Sequence, residues 1–241
     1  MKQDKTYNPD IFGEAVHDYF TNGQAESIRV WQEDFDEDEI PTAYLFRAFE
    51  DMLIIEQKAL KNSFGHCLDV GCCAGSHSLY LQQKGLEVTA IDISAKAIEV
   101  CRLRGIKDAQ VKSFFEVEEQ FDTILMLMNG SGIIGKLNQL DSFFKQLKMI
   151  LKPGGQLLID SSDLRYLYEE EDESLSKITS QNYYGEVQYQ IQYKEQKSQW
   201  FDWLYIDFEK LKLAASAQGF SCKQLVAGEH YDYLAQITYN N

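Results

Sequence analysis

The spacing of apolar and polar positions changes character twice along the chain. Over the first 65 residues apolar positions recur at helical spacing without strand alternation, which predicts helices joined by loops. Ile11, Phe12, Ala15, Val16, Tyr19 and Phe20 share one side of a helix over 9–22 that Gly23 ends, and Leu45, Phe46, Phe49, Leu53 and Leu60 give a helical period to Thr42–Lys61. From residue 66 strands and helices alternate. Cys67, Leu68 and Val70 form a buried strand, Gly71 and Gly75 bracket a turn, and residues 76–84 are helical. A second strand is predicted over Glu87–Ile93, with Ser94 capping a helix over Ala95–Arg104. Ala109–Phe115 reads as a third strand, and Phe121–Met128 as a fourth, apolar enough to be buried on both faces. A helix over Leu137–Leu151 is stopped by Lys152-Pro153-Gly154-Gly155, and Gln156–Asp160 is the fifth strand.

The second change comes after residue 186. Val187, Tyr189, Ile191 and Tyr193 alternate with Gln188, Gln190, Gln192 and Lys194, and Trp200–Asp207 alternates across the turn 195–198. Period two with one polar face predicts an inserted β-hairpin. A helix over Phe208–Gln218 and strands over Phe220–Val226 and Tyr231–Thr238 complete a doubly wound α/β pattern.

Charge narrows the partners. With 38 acidic against 23 basic residues the formal charge is −15, and the lysines are scattered, so a nucleic-acid partner is disfavoured. The stretch WQEDFDEDE (31–39) holds six acids and reads as a solvated acidic loop, with a lid edge or a cation-facing surface as the alternative. No apolar leader core or membrane-length apolar run is visible, which predicts a soluble cytoplasmic protein without a membrane partner. Five cysteines without a CxxC pair argue against a disulfide framework or zinc, so no metal is expected; a metal or thiol site on Cys72, Cys73 and His77 is the alternative.

A doubly wound sheet takes its ligand at the carboxyl ends of its strands, here after Asp69, Asp92, Phe115, Met128 and Asp160. The turn after Asp69 exposes backbone N–H groups at a helix N-terminus, where a nucleotide or carboxylate binds. Asp92 stands 21 residues beyond Gly71 at a strand end, where its carboxylate can accept hydrogen bonds from both hydroxyls of a ribose.

The order LDVGCCAG, AIDIS, FDTILML and LKPGGQLLID resembles the class I methyltransferases that use S-adenosylmethionine, over residues 66–160 with the tail 200–238 also fitting. DEDEIPTAYLFRAFE, LMLMNGSGI, IDSSD and GEHYDYLA look like a bacterial branch of that family. The resemblance implies a Rossmann-like doubly wound sheet of seven mostly parallel strands, the last antiparallel. An N-terminal helical lid (1–65) precedes a core (66–241) that carries the hairpin at about 183–206. It further implies S-adenosylmethionine as cofactor. Gly71, Cys73 and Gly75 would surround the methionine portion with Asp69 near its ammonium, and Asp92 and Ile93 would take the adenosine. Ser113 and Phe114 stand where the family often has an acid and its neighbour for the adenine, so backbone contacts replace that acid, and Asn129 lies at the mouth where the methyl points. Cys73 replaces the middle glycine of the usual G-x-G-x-G; a positive φ there would cost on the order of 1–2 kcal/mol.

The activity implied is methyl transfer by in-line displacement to an unidentified acceptor, with a small molecule favoured and a protein acceptor open. Candidates for a general base are Asp163 and Tyr166 after the fifth strand, then His17 and His230. Tyr189, Tyr193, Trp200 and Trp203 read as core or as a homodimer contact, and less readily as an acceptor pocket. The alternatives are a non-catalytic S-adenosylmethionine-binding protein and an NAD-dependent oxidoreductase.

Overall fold

A computed structural model describes residues 9–32, 37–169, 183–228 and 230–239. Most of the acidic run 169–173 and residues 33–36 of the first acidic stretch lie outside the described residues. Asp10 starts the first helix, α1 (Ile11–Asn22), by accepting the Gly13 N–H at 3.0 Å, and Gly23 ends it in the left-handed conformation. Two short antiparallel strands follow, β1 (Ile28–Gln32) and β2 (Asp38–Ile40). They correct the expectation of helices and loops alone. The alternation in β1 is only five residues long, and its long pairing partner is residues 189–192, far along the chain. The helix expected over Thr42–Lys61 is likewise shorter. Two 3-10 turns, Thr42–Phe46 and Phe49–Asp51, precede α2 (Ile54–Asn62), because Arg47 and Ala48 are extended between them.

The central layer begins with β3 (His66–Val70), α3 (Ser76–Gln83), β4 (Glu87–Asp92), α4 (Ala95–Leu103), β5 (Asp108–Val111) and β6 (Phe121–Met126). It continues through α5 (Leu140–Ile150), β7 (Leu151–Ser162) and the short α6 (Tyr166–Glu169). Strands β8 (Glu186–Tyr193), β9 (Gln196–Lys197) and β10 (Phe201–Leu204) precede α7 (Phe208–Ala217), β11 (Phe220–Ala227) and β12 (Asp232–Tyr239). Seven strands form one sheet in the order β11-β12-β7-β6-β3-β4-β5, parallel from β7 to β5, with β12 antiparallel to both neighbours. This is the Rossmann-like sheet expected. The chain winds outward from β3 through β5 and returns to β6, so the switch point lies between β3 and β6. Strand β7 starts five residues earlier than expected; Pro153 and Gly154, the latter at φ +78°, are absorbed where the β6–β7 register shifts.

Alternate residues of the central strands feed two cores. Ile124, Leu157 and Ile159 pack with Phe143, Phe144 and Leu147 of α5, whereas Leu125 and Leu158 pack with Ile55 and Ala59 of α2 and Leu81 of α3. The inserted hairpin joins the N-terminal strands in a second, antiparallel sheet of order β10-β8-β1-β2, with β9 on β8. Ile28, Val30, Ile191 and Tyr193 of this sheet share a third cluster with Ile11 and Ala15 of α1 and with Cys73 and Ala74 of the glycine turn. The second sheet is therefore built onto the turn. Its edge docks through Trp203, whose ring lies so close that a Cβ on Gly132 would sit 1.8 Å from it. Gly132→Ala is expected to lower stability by about 2 kcal/mol through overpacking, read by urea denaturation, with a change in tryptophan emission as Trp203 is displaced.

Candidate active site

The turn after β3 is held by its neighbours' backbone. Gly71 and Cys72 donate their N–H groups to Ile91 O at 2.8 and 3.0 Å, and Gly75 donates to Cys72 O at 2.7 Å. Gly71, Cys73 and Gly75 have φ of +71°, +48° and +80°, so the middle position does require the left-handed region. At Gly75 a Cβ would lie 2.3 Å from Ile106, which leaves glycine as the fit there. At Cys73 the strain is offset by its N–H bond to Asp92 Oδ2 at 2.9 Å and by partial burial against the third cluster. Burial pushes the Cys73 thiol well above the usual range, so it is an inert packing group. Among the described residues no group of three or more His, Cys, Asp or Glu side chains is placed to hold a metal ion.

Asp92 is the junction of the site. Its Oδ1 accepts the Ser94 N–H at 2.8 Å, while Ser94 Oγ caps α4 by accepting the Ala97 N–H and donates to Asp10 Oδ2 at 2.8 Å. Burial raises the Asp92 carboxyl against these N–H bonds, and the nearby charges of Asp10 and Asp69 add to the rise. Each oxygen has one protein donor and a second lone pair for a ligand. Around it the surface is unexpectedly apolar: Ile93 is 80% exposed, and Val111, Phe115 and Met128 are exposed at the ends of β5 and β6. A carboxylate ringed by exposed apolar side chains fits an adenosine group, ribose on Asp92 and base on the apolar surface. Phe114 itself is buried against Phe143, and Ser113 caps the 3-10 turn 114–116, with Glu116 turned back onto its N–H at 2.9 Å. Asp69 is buried and accepts the Ser78 hydroxyl at 2.6 Å.

Sequence reading missed a buried charged cluster beside the turn. Glu56, 2% exposed, accepts from Arg47, and its Oε1 lies 2.7 Å from His77 Nε2. Burial works to raise the Glu56 carboxyl, but the hydrogen bonds from His77 and Arg47 prevail and hold it at about 2. For His77 burial acts downward, and Glu56 and Asp69 outweigh it to raise the imidazole. Arg47 Nε is buried without a hydrogen-bond partner among the described residues. A signal did exist in α2, where Glu56 shares the apolar face with Ile55, Ala59 and Leu60.

Asp160, near the end of β7, is expected from the sequence only as a strand end on the ligand side, and the structure gives it a role of its own. Its carboxylate accepts the N–H groups of Gly130 and Asn129 at 2.9 and 3.0 Å, which holds Met128 and Asn129 in left-handed conformations at the end of β6. Burial raises it to about 6 despite those bonds. On the facing sheet Tyr189 lies on the same side of β8 as Ile191; its hydroxyl donates to Gln32 Oε1 at 3.1 Å and lies 2.9 Å from the Tyr205 hydroxyl. Tyr166 stacks on Tyr231 at 4.7 Å and is within electrostatic reach of Tyr189 and Tyr205. Asp163 accepts from the Tyr184 hydroxyl at 2.8 Å and lines an open cavity of about 430 Å³ with Phe208, Tyr231 and Asp232. His230 is exposed at the turn before β12, and His17 is on α1. Asp163, Tyr166 and His230 therefore meet around Tyr231, where Asp163 donates its N–H to Tyr231 O at 2.9 Å, while His17 lies apart on α1.

A methyltransferase-domain profile matches residues 68–159. The crystal structure of an S-adenosylmethionine-dependent methyltransferase from Bacteroides fragilis, in complex with S-adenosyl-L-homocysteine, is 46% identical, covers 96% of this chain and 95% of its own, and superposes with a TM-score of 0.89. The malonyl-acyl-carrier-protein O-methyltransferase of Enterobacter lignolyticus (strain SCF1) is 31% identical over 98 residues, 39% of this chain and 38% of that protein. The chain spans about two fifths of the length of the curated relatives it matches. The PH0226 protein of Pyrococcus horikoshii OT3, 22% identical over 77% of this chain and 88% of its own with a TM-score of 0.56, shares the fold. This chain belongs to the S-adenosylmethionine-dependent methyltransferase family.

Two tests follow from the geometry. Cys73→Gly relieves the positive φ while keeping the N–H to Asp92, so affinity for S-adenosyl-L-homocysteine by calorimetry should stay the same or tighten. A large loss would mean that the Cys73 side chain itself holds ligand. Glu56 contributes stability above its unfolded value near 4.5 that is lost as pH falls towards about 2. His77, raised on folding, contributes fully below its unfolded 6.5 and loses that contribution as pH rises through its folded value. Urea midpoints should therefore fall on both sides of this window, and Glu56→Gln should cost about 3 kcal/mol within it by leaving Arg47 and His77 unpaired.

Proposed function

We propose that this protein methylates a small-molecule acceptor enclosed between the carboxyl ends of β6 and β7 and the inner face of the second sheet. The observation that carries the reading is the shared third cluster: Cys73 and Ala74 of the donor turn pack in one core with α1, β1 and β8, so the roof over the acceptor rests on the donor site. A roof fixed to the glycine turn suits a compact ligand better than a folded protein surface. The charge of −15 argues further against a polyanion.

S-adenosylmethionine supplies, when bound, a sulfonium methyl that is already activated for displacement. Asp92 would accept the ribose hydroxyls, Ile93 and Met128 would cover the base, and Asp69 would face the ammonium. The free Arg47 Nε, beside His77 at the start of α3, offers a donor to the methionine carboxylate. Of the N-terminal segment, α1, β1 and β2 act with the hairpin of β8 and β10 as the lid, keeping water from the acceptor, whereas α2 packs in the core of the central sheet. Tyr166, stacked on Tyr231, and Asp163, engaged by Tyr184, flank the end of β7 together.

Incubation with methyl-labelled S-adenosylmethionine and a cell extract split into small-molecule and macromolecular fractions tests this. Label should enter the small-molecule fraction, and Asp92→Ala should weaken donor affinity by about 100-fold through loss of two charge-assisted hydrogen bonds. Label confined to macromolecules would refute a small-molecule acceptor, and no donor binding at millimolar concentration would refute the transferase.

A further inference from the structure

The acceptor side holds a carboxylate that the donor does not explain. Asp160 is 8% exposed at the end of β7, and among the described residues no Lys, Arg or His stands at ion-pair distance from it. Both of its oxygens are fixed by the N–H groups of Asn129 and Gly130, and each has one lone-pair direction left. The groups in its field are Tyr44 and Glu56 of the N-terminal segment, His77 of α3, Tyr205 after β10 and Tyr233 of β12. The one guanidinium nearby, Arg47, is tied to Glu56 and lies on the Tyr44 ring, 3.8 Å from its centroid. Asp160 is therefore a buried acid fixed by two backbone N–H groups, with no cation at ion-pair distance among the described residues.

We infer that the acceptor is an amine, and that Asp160 receives its nitrogen at the position of methyl transfer; the inference rests on the small-molecule methyltransferase reading above. A carboxylate or phosphate acceptor would meet Asp160 with like charge, while Arg47 and His77 serve Glu56. An alcohol brings no positive charge to the buried carboxylate, which would stay unpaired beside it. An amine is attracted as its ammonium by Asp160 and by the tyrosine faces, and sheds one proton to solvent on binding. Its nitrogen lone pair then forms a C–N bond to the methyl carbon, and the C–S bond breaks with its electron pair remaining on sulfur. The nitrogen, now positive, passes a proton to the Asp160 carboxylate. The products are a neutral N-methylamine, a neutral thioether and a protonated Asp160, and the charges sum to zero before and after. The raised proton affinity of the buried carboxyl suits it to this step.

Sinefungin, which carries an amine where the donor carries its methyl, probes the position without a known acceptor. Calorimetry on the whole protein should give sinefungin an advantage over S-adenosyl-L-homocysteine of about tenfold near pH 8, falling to less than about threefold near pH 5 as Asp160 is protonated. In Asp160→Asn the ratio should approach about one at both pH values. His77 titrates in the same direction, so a pH-dependent advantage that persists in Asp160→Asn would assign it to His77 and overturn the role of Asp160. Equal affinities in the unmodified protein near pH 8 would do the same, whether or not the variant folds. Failure of both ligands to bind would instead overturn the donor site. Acetylating the amines of a small-molecule extract beforehand should abolish label transfer; transfer that survives acetylation would overturn the amine.

Discussion

The two backbone hydrogen bonds received by Asp92 hold the site together. One fixes Cys73 in the donor turn and the other fixes Ser94, which caps α4 and carries Asp10 at the start of α1. A single carboxylate thus sets the turn, the helix after β4 and the seating of the N-terminal segment. Because it is buried among other acids, it is held at a cost that these N–H groups offset, and ligand hydroxyls would add to the same charge-assisted set.

The second organising device is the roof. A strand inserted after β7 pairs with a strand that precedes the core, so two parts of the chain far apart in sequence close over the same end of the sheet. Their inner side shares apolar contacts with the turn, and the polar positions beyond it, Gln32, Tyr189 and Tyr205, link by hydroxyl hydrogen bonds. The glycine turn and the second sheet are therefore packed as one unit. The Glu56 cluster ties the remaining N-terminal stretch to α3 through charge, where the roof does so through packing.

The central sheet was legible because each strand carries its own signal. FDTILM is continuously apolar since both faces of β6 are covered, and the β8 alternation reflects one covered face. Strand β1 was not legible, as five residues of alternation cannot be told from a helix turn without the partner that pairs with it. Of the candidate site, Asp92 and the glycine turn stood out by their spacing, and the structure joins them through the Cys73 N–H bond. Glu56, His77 and Asp160 did not, because a buried ionisable group is recognised by its surroundings, and those come from α2, α3, the 3-10 turns and β7 together.

By itself the sequence determined the strand and helix order, the glycine turn and the acid that follows it, because periodicity and turn chemistry act over a few neighbouring residues. The tertiary structure alone decided that Cys73 is left-handed, that the N-terminal segment is partly sheet, and that Asp160 is a buried carboxylate with no cation at ion-pair distance among the described residues. Those depend on long-range pairing and desolvation, which are properties of residues brought together from distant parts of the chain.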